Sequence, residues 1–364
     1  MKITLVAGAR PNFMKIAPIL RAIEKAASEG HDIQYRLVHT GQHYDKAMSG
    51  SFFEQLGIPE PNVNLECGGG SHAEQTAAIM VAFEKELIQH PCDWVVVVGD
   101  VTSTMACSIS AKKLHIKVAH VEGGIRSGDI TMPEEVNRLV TDAITDVFFT
   151  TSEVANTNLR KAGVEEEQIV FVGNTMIDTL LKHQNDFVAP SFWDSEELRK
   201  GDYLVMTLHR PSNVDDADQL RSIFEVIDDE LKDHKVVFPV HPRTRKNMET
   251  FGIKPKNVVM AEPLGYFEFN YLVKNAKGVI TDSGGITEET TVMSVPCITM
   301  RNSTERPETV DIGTNELIGT DPENLRKALK QLLSGQWKQG NIPPLWDGKT
   351  AERIVEWFSL NLQK

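Results

Sequence analysis

The chain has 364 residues, and its 38 basic and 51 acidic side chains leave a net charge of −13; 41% of the residues are hydrophobic and 24% charged. That length suits two domains of roughly 100–200 residues each, and the composition excludes a disordered chain, a collagen-like repeat and a disulfide-stapled mini-protein. The acidic balance argues against nonspecific nucleic-acid binding and against docking on an anionic membrane, since both rest on Lys and Arg.

At the N-terminus a short apolar run ends in Gly8-Ala9-Arg10-Pro11, too short for a signal-peptide core. Nowhere does a run approach the roughly 18 apolar residues of a membrane span. β-branched runs predict strands at 3–7, 33–40, 94–100, 117–122, 146–151 and 168–173. Helices fall between them. Phe13, Ile16, Ala17, Leu20 and Ile23 share one helical face, and Val136, Leu139, Val140, Ala143 and Ile144 share another after a helix-opening Met132-Pro133. A polar stretch at 185–202 interrupts the pattern, and strands resume at 203–209, 235–241, 257–262, 277–283 and 296–300. Strand and helix in alternation predict an α/β protein with two doubly wound parallel sheets. Residues 348–360 read as an amphipathic helix with Ile354, Trp357 and Phe358 on one side, able to pack on either domain. Cys67, Cys92, Cys107 and Cys297 lie far apart, without zinc or disulfide spacing, and read as reduced packing residues of a cytoplasmic protein.

In open parallel sheets ligands bind beyond the carboxyl ends of the strands. Here those positions are loaded with polar groups: Arg10 and Lys15; His39, Gln42 and His43; Asp100; His120, Glu122 and Arg126; Glu134, Glu135, Asn137 and Arg138. The second series adds His209-Arg210, His241, Arg243 and Asp282-Ser283-Gly284-Gly285. The run DSGGITEE places a Ser-Gly-Gly turn at a helix start, where free N–H groups suit a phosphate, and puts Glu289 within reach of ribose hydroxyls. Its plainer alternative is a turn capped by Ser283. Neither G-x-G-x-x-G nor the P-loop pattern is present, which weakens an NAD-dependent reading, and no cofactor is expected. The histidines form none of the H-E-x-x-H or H-x-E patterns, so no metal is expected. His115 reads as a surface residue, whereas His209, ending an apolar strand before Arg210-Pro211, reads as a ligand contact. Asp100, Glu122 and Glu134 come from neighbouring elements and suit acid–base work, with helix N-capping as the structural alternative.

The segments GARPNFMKIAP, HTGQHYD, GDVTST, HVEGGIRS, MPEEVNR, TLHRPSNVD, HPRT, DSGGITEE and ERPET follow one another as in the non-hydrolysing UDP-N-acetylglucosamine 2-epimerases. Over about residues 2–360 the chain resembles that family. The resemblance implies a GT-B-like fold: two Rossmann-like domains, 1–174 and 175–347, around an interdomain cleft, with a C-terminal helix (348–364) returning to the first. It implies interconversion of UDP-N-acetylglucosamine and UDP-N-acetylmannosamine through loss of UDP to 2-acetamidoglucal and its re-addition. By motif matching, Asp100, Glu122, Glu134 and His209 take the catalytic positions, and Arg10, Lys15, Phe269, Ser283, Gly284, Gly285, Glu289 and Arg306 the UDP-contacting ones, with Phe269 near uracil. A homodimer is the family's common state. Departures are Gly123 in place of a more usual alanine and HRPSN in place of HRRE-N. The region corresponding to an arginine-containing activator site of some members, near Gln42 and His43, reads ECGGGSHAEQ and has no arginine. A related UDP-sugar such as a diacetamido uronate is an alternative substrate. A GT-B glycosyltransferase and a nucleotide-sugar sensor are the alternative classes.

Overall fold

Each expected strand forms, and all the pairings are parallel. The computed structural model describes residues 1–41 and 56–361, without the Arg10 side chain; Gln42 and His43 therefore lie outside the described residues. The first sheet holds β1 (Lys2–Ala7), β2 (Gln34–His39), β3 (Val63–Asn64), β4 (Trp94–Val98), β5 (Lys117–Val121), β6 (Val147–Thr150) and β7 (Ile169–Phe171) in the order β3-β2-β1-β4-β5-β6-β7. The second holds β8 (Tyr203–Thr207), β9 (Lys235–Pro239), β10 (Val258–Ala261), β11 (Gly278–Thr281), β12 (Cys297–Thr299) and β13 (Asn315–Leu317) in the order β10-β9-β8-β11-β12-β13. Sequence patterning does not reveal β3 and β13, whose 2 and 3 residues are too short for a period. The central strands read as continuous apolar runs because crossover helices cover both of their faces, and every residue of β4 is buried. Strand order reverses between β1 and β4 in one sheet and between β8 and β11 in the other, which makes these the switch points where a doubly wound sheet receives its ligand.

Two compact units result, Met1–Lys182 with Pro344–Lys364, and His183–Pro343. The division falls later in the chain than residue 174, because helix Thr175–His183 is tied to the returning C-terminal segment. Its Asp178 accepts the N–H groups of Thr350 (3.1 Å) and Ala351 (2.7 Å), capping helix Thr350–Leu360. Trp346 Nε1 donates to the Thr151 carbonyl at 2.9 Å. Trp357 and Phe358 meet Trp94 and Phe149 edge-on at centroid distances of 5.5–5.6 Å, so the helix completes the first unit's core.

Helix Arg10–Ser28 buries the face expected of it. Helix Pro133–Asp142 does the opposite. Val136 and Leu139 are exposed at 41% and 42%, while Glu135, Asn137, Arg138, Thr141 and Asp142 are buried. Apolar periodicity misplaces this helix because its polar side is held by ion pairs and hydrogen bonds with the neighbouring strand ends. Among the described residues no helix is long and apolar enough to cross a membrane.

Phe358 is 1% exposed. Phe358→Ala should lower unfolding stability by about 3–5 kcal/mol, read as a shifted urea midpoint; a loss within error of zero would mean the helix contributes little to that core.

Candidate functional site

At the first unit's switch point, Asn12 closes the gap between β1 and β4. Its Oδ1 accepts the N–H groups of Gly8 (3.2 Å) and Ala9 (2.9 Å), and its Nδ2 donates to the Val98 carbonyl at 3.0 Å. One turn along the same helix, Lys15 Nζ lies 2.7 Å from Glu122 Oε2, with the Glu122 side chain 3% exposed. Glu122 follows β5 at φ +71, and its N–H donates to the Phe149 carbonyl. The next residue explains a departure from the family pattern: a Cβ on Gly123 would come within 2.7 Å of Phe148 Cδ1.

Asp100 follows β4, and its carboxylate meets Arg138 at 2.5 Å while its carbonyl accepts from Asn137 at 2.8 Å. It caps no helix, since the next one starts from Val101 without a side-chain cap. Arg138 also holds Glu135 at 2.6 Å, and Glu135 accepts the N–H groups of Ser127 and Gly128. Glu134, in the first turn of that helix, is half-buried and has no hydrogen bond or ion pair among the described residues. Asp100 and Glu122 are thus each held by a cation, and among the described residues Glu134 is not. His39, another strand-end residue, serves the structure: burial pushes it down to about 4, and its Nδ1 accepts the Gly41 N–H at 2.6 Å. His115 is exposed.

In the second unit, His209 and Asp282 face each other across β8 and β11. His209 Nδ1 lies 2.8 Å from Asp282 Oδ1, and the ring is 44% exposed. Asp282 also accepts the N–H of His209 (3.0 Å), that of Arg210 (2.9 Å) and Asn213 Nδ2 (3.1 Å). Burial works to raise this carboxyl, yet the bonds from His209, Arg210 and Asn213 hold it below its ordinary value. The resulting carboxylate fixes one imidazole nitrogen and leaves the other for a ligand.

Helix Gly284–Val292 starts beside it. Ser283 makes no side-chain cap, and its N–H donates to Thr281 Oγ1 at 3.0 Å, so of the expected cradle the Gly284 and Gly285 N–H groups remain for an anion. A Cβ on Gly285 would meet nothing within 4 Å. Further along, Glu289 is 5% exposed, and burial pushes its carboxyl up to about 7, with Tyr266 and Asn270 pulling down and Glu288 pushing up. Arg306 Nε meets Glu288 at 2.5 Å. Phe269 is half-buried against the cluster of Leu198, Tyr203, Val205 and Leu272. Arg10 opens its helix at the first switch point. No group of His, Cys, Asp and Glu gathers in metal-binding geometry among the described residues.

Sequence reading names all six residues of three ion pairs but not which pairs with which. Lys15 with Glu122, Arg138 with Asp100, and Asp282 with His209 are pairs separated by 107, 38 and 73 residues. The signal for Asp282 was its place at a strand end, opposite that of His209.

Two Rossmann-like sheets, each with its polar residues at the strand-order reversal, define a GT-B-like α/β protein. The UDP-N-acetylglucosamine 2-epimerase family pattern matches residues 25–359. The chain belongs to this family. It is 42% identical over 371 residues, covering 98% of both chains, to a UDP-N-acetylglucosamine 2-epimerase of Methanocaldococcus jannaschii. It is 37% identical over 362 residues, covering 99% of both, to a UDP-2,3-diacetamido-2,3-dideoxy-D-glucuronate 2-epimerase of Pseudomonas aeruginosa. A crystal structure of the M. jannaschii UDP-GlcNAc 2-epimerase in complex with UDP-GlcNAc and UDP superposes with a TM-score of 0.87 at 40% identity, covering 99% of this chain and 100% of that one.

Glu289 gives a pH signature without ligand. Its folded value, about 7, lies above the ordinary 4.5, so its contribution to stability is fully present below pH 4.5 and is lost as the pH rises through 7. The loss amounts to about 3 kcal/mol. Urea unfolding from pH 4.5 to 7.5 should show that decline, and Glu289→Gln should flatten it; an unchanged slope in the variant would assign the decline to other groups.

Proposed function

We propose that the chain interconverts UDP-N-acetylglucosamine and UDP-N-acetylmannosamine without net hydrolysis. The C2 proton of this sugar is not adjacent to a carbonyl, so direct deprotonation faces a very high barrier. Elimination lowers it. The C1–O bond breaks with its electron pair leaving on UDP, a base removes the C2 proton, and a C1–C2 double bond forms to give 2-acetamidoglucal. In the return step a proton is delivered to the opposite face of C2, and a β-phosphate oxygen of UDP attacks C1.

The observation that carries this reading is the arrangement of acids after β4, after β5 and in the first turn of helix Pro133–Asp142, two of them ion-paired and the third without an ion pair among the described residues. Asp100, Glu122 and Glu134 share proton transfer at C2 and stabilisation of the cationic sugar. His209, oriented by Asp282, stabilises the departing diphosphate with Arg10, the Gly284 and Gly285 N–H groups and Arg306. Lys15 supplies positive charge beside Glu122. Glu289 receives the ribose hydroxyls, and Phe269 lies against uracil. The glucal must be shielded from water, because its capture by water would yield free sugar.

In D2O the chain should convert UDP-N-acetylglucosamine to a C2-deuterated pair of epimers, without any acceptor. Asp100→Asn and Glu122→Gln should lose at least 100-fold in turnover while retaining UDP binding. Unlabelled starting material would remove the epimerase reading, and free N-acetylmannosamine would point to the hydrolysing relatives. The P. aeruginosa relative gives a second substrate reading, and comparing kcat/KM for the two UDP-sugars decides between them.

The working state is a homodimer. Exposed Ile130 (63%), Val136 and Leu139 supply the apolar surface for a second copy. Val136→Asp with Leu139→Asp should convert it to monomers in analytical ultracentrifugation; a wild-type chain that sediments as a monomer at assay concentration would overturn this.

A further inference from the structure

We propose that His120 and Asp142 form a buried brace that positions the three acids, a role that rests on the epimerase reading above. His120 lies on β5 and is 1% exposed. Its Nε2 is 2.8 Å from the Gly99 carbonyl, the peptide immediately before Asp100. Its Nδ1 is 2.7 Å from Asp142 Oδ1. The carbonyl can only accept, so Nε2 donates to it, while Nδ1 faces the carboxylate, and one ring ties the two elements together.

Asp142 extends the brace. Its Oδ2 accepts the Gly124 N–H at 3.0 Å and Arg126 Nη1 at 2.6 Å. Burial works to raise this carboxyl, but His120 and Arg126 hold it below its ordinary value. Asp142 sits in the last turn of the helix whose first turn carries Glu134. The brace therefore touches each acid-bearing segment: Gly99 before Asp100, His120 and Gly124 on either side of Glu122, and the helix of Glu134.

These segments need holding. Gly99, Glu122 and Gly124 have φ values of +70, +71 and +81, outside the regular strand conformation. A core residue that served packing alone would not require charge, since buried ion pairs can often be replaced by apolar groups at no loss of stability. Here the ring reaches a carbonyl and a carboxylate on different elements at once, which fixes their separation. Neither His120 nor Asp142 is assigned contact with substrate; both are positioning residues.

The test has two arms. In the wild-type chain with 15N-labelled histidine, the His120 Nε2 should carry a proton held in a hydrogen bond to the Gly99 carbonyl; an Nε2 without that proton would overturn the brace, whatever the variants do. His120→Gln and Asp142→Asn should lower kcat by roughly 100-fold, the scale of a small misplacement of catalytic groups, with KM for UDP-N-acetylglucosamine and affinity for UDP within about threefold of wild type. A folded variant that keeps wild-type kcat overturns the proposal. So does a parallel loss of kcat and UDP affinity, which marks general disruption. If the wild-type chain itself epimerises neither UDP-sugar, the function reading fails, while the histidine spectrum still judges the brace.

Discussion

Where a doubly wound sheet reverses its strand order, the crossover connections leave on opposite sides and two adjacent strand ends are left without a covering turn. Backbone groups there must find partners among side chains. In the first unit Asn12 supplies them, accepting from Gly8 and Ala9 and donating to Val98. In the second unit Asp282 does so, accepting from His209 and Arg210. Each closure sets a chemical group in place. Asn12 lies one turn before Lys15, which grips Glu122, and Asp282 orients the His209 ring.

Charge is buried around these points in amounts that a purely stabilising core would avoid. Arg138 is 3% exposed, Asp142 6%, Glu122 4% and Asp282 0%. All of them are paired, and each has a partner on a different element, although Arg138 also holds Glu135 on its own helix. Helix Pro133–Asp142 shows what this demands of the sequence: its charged side turns inward to serve the strand ends, and its apolar side is turned out.

Sequence patterning was a good guide to the strands and a partial one to the site. Apolar runs such as Trp94–Val98 state their burial directly, and strand-end position alone drew attention to Asp100, Glu122 and His209. Motif resemblance supplied their roles. What periodicity could not see was the reversed helix, because a polar face held by ion pairs carries no hydrophobic signal. Pairings such as Lys15 with Glu122 were hidden for a different reason: they depend on which strands become neighbours, a property of topology rather than of local spacing. At the Ser283 turn the alternative of a Ser cap is the one not realised, and whether a Ser caps its helix depends on a rotamer that composition does not encode.

The return of residues 344–361 to the first unit also sets an order of assembly. Trp94 and Phe149 are synthesised early, but their partners Trp357 and Phe358 leave the ribosome only after the whole second unit has been made. Until then Asp178 has no helix to cap, and an apolar surface over β4 and β6 stays uncovered. The unit begun first is therefore the one finished last. During synthesis that surface, rather than the second unit, is where a nascent chain would need protection from aggregation.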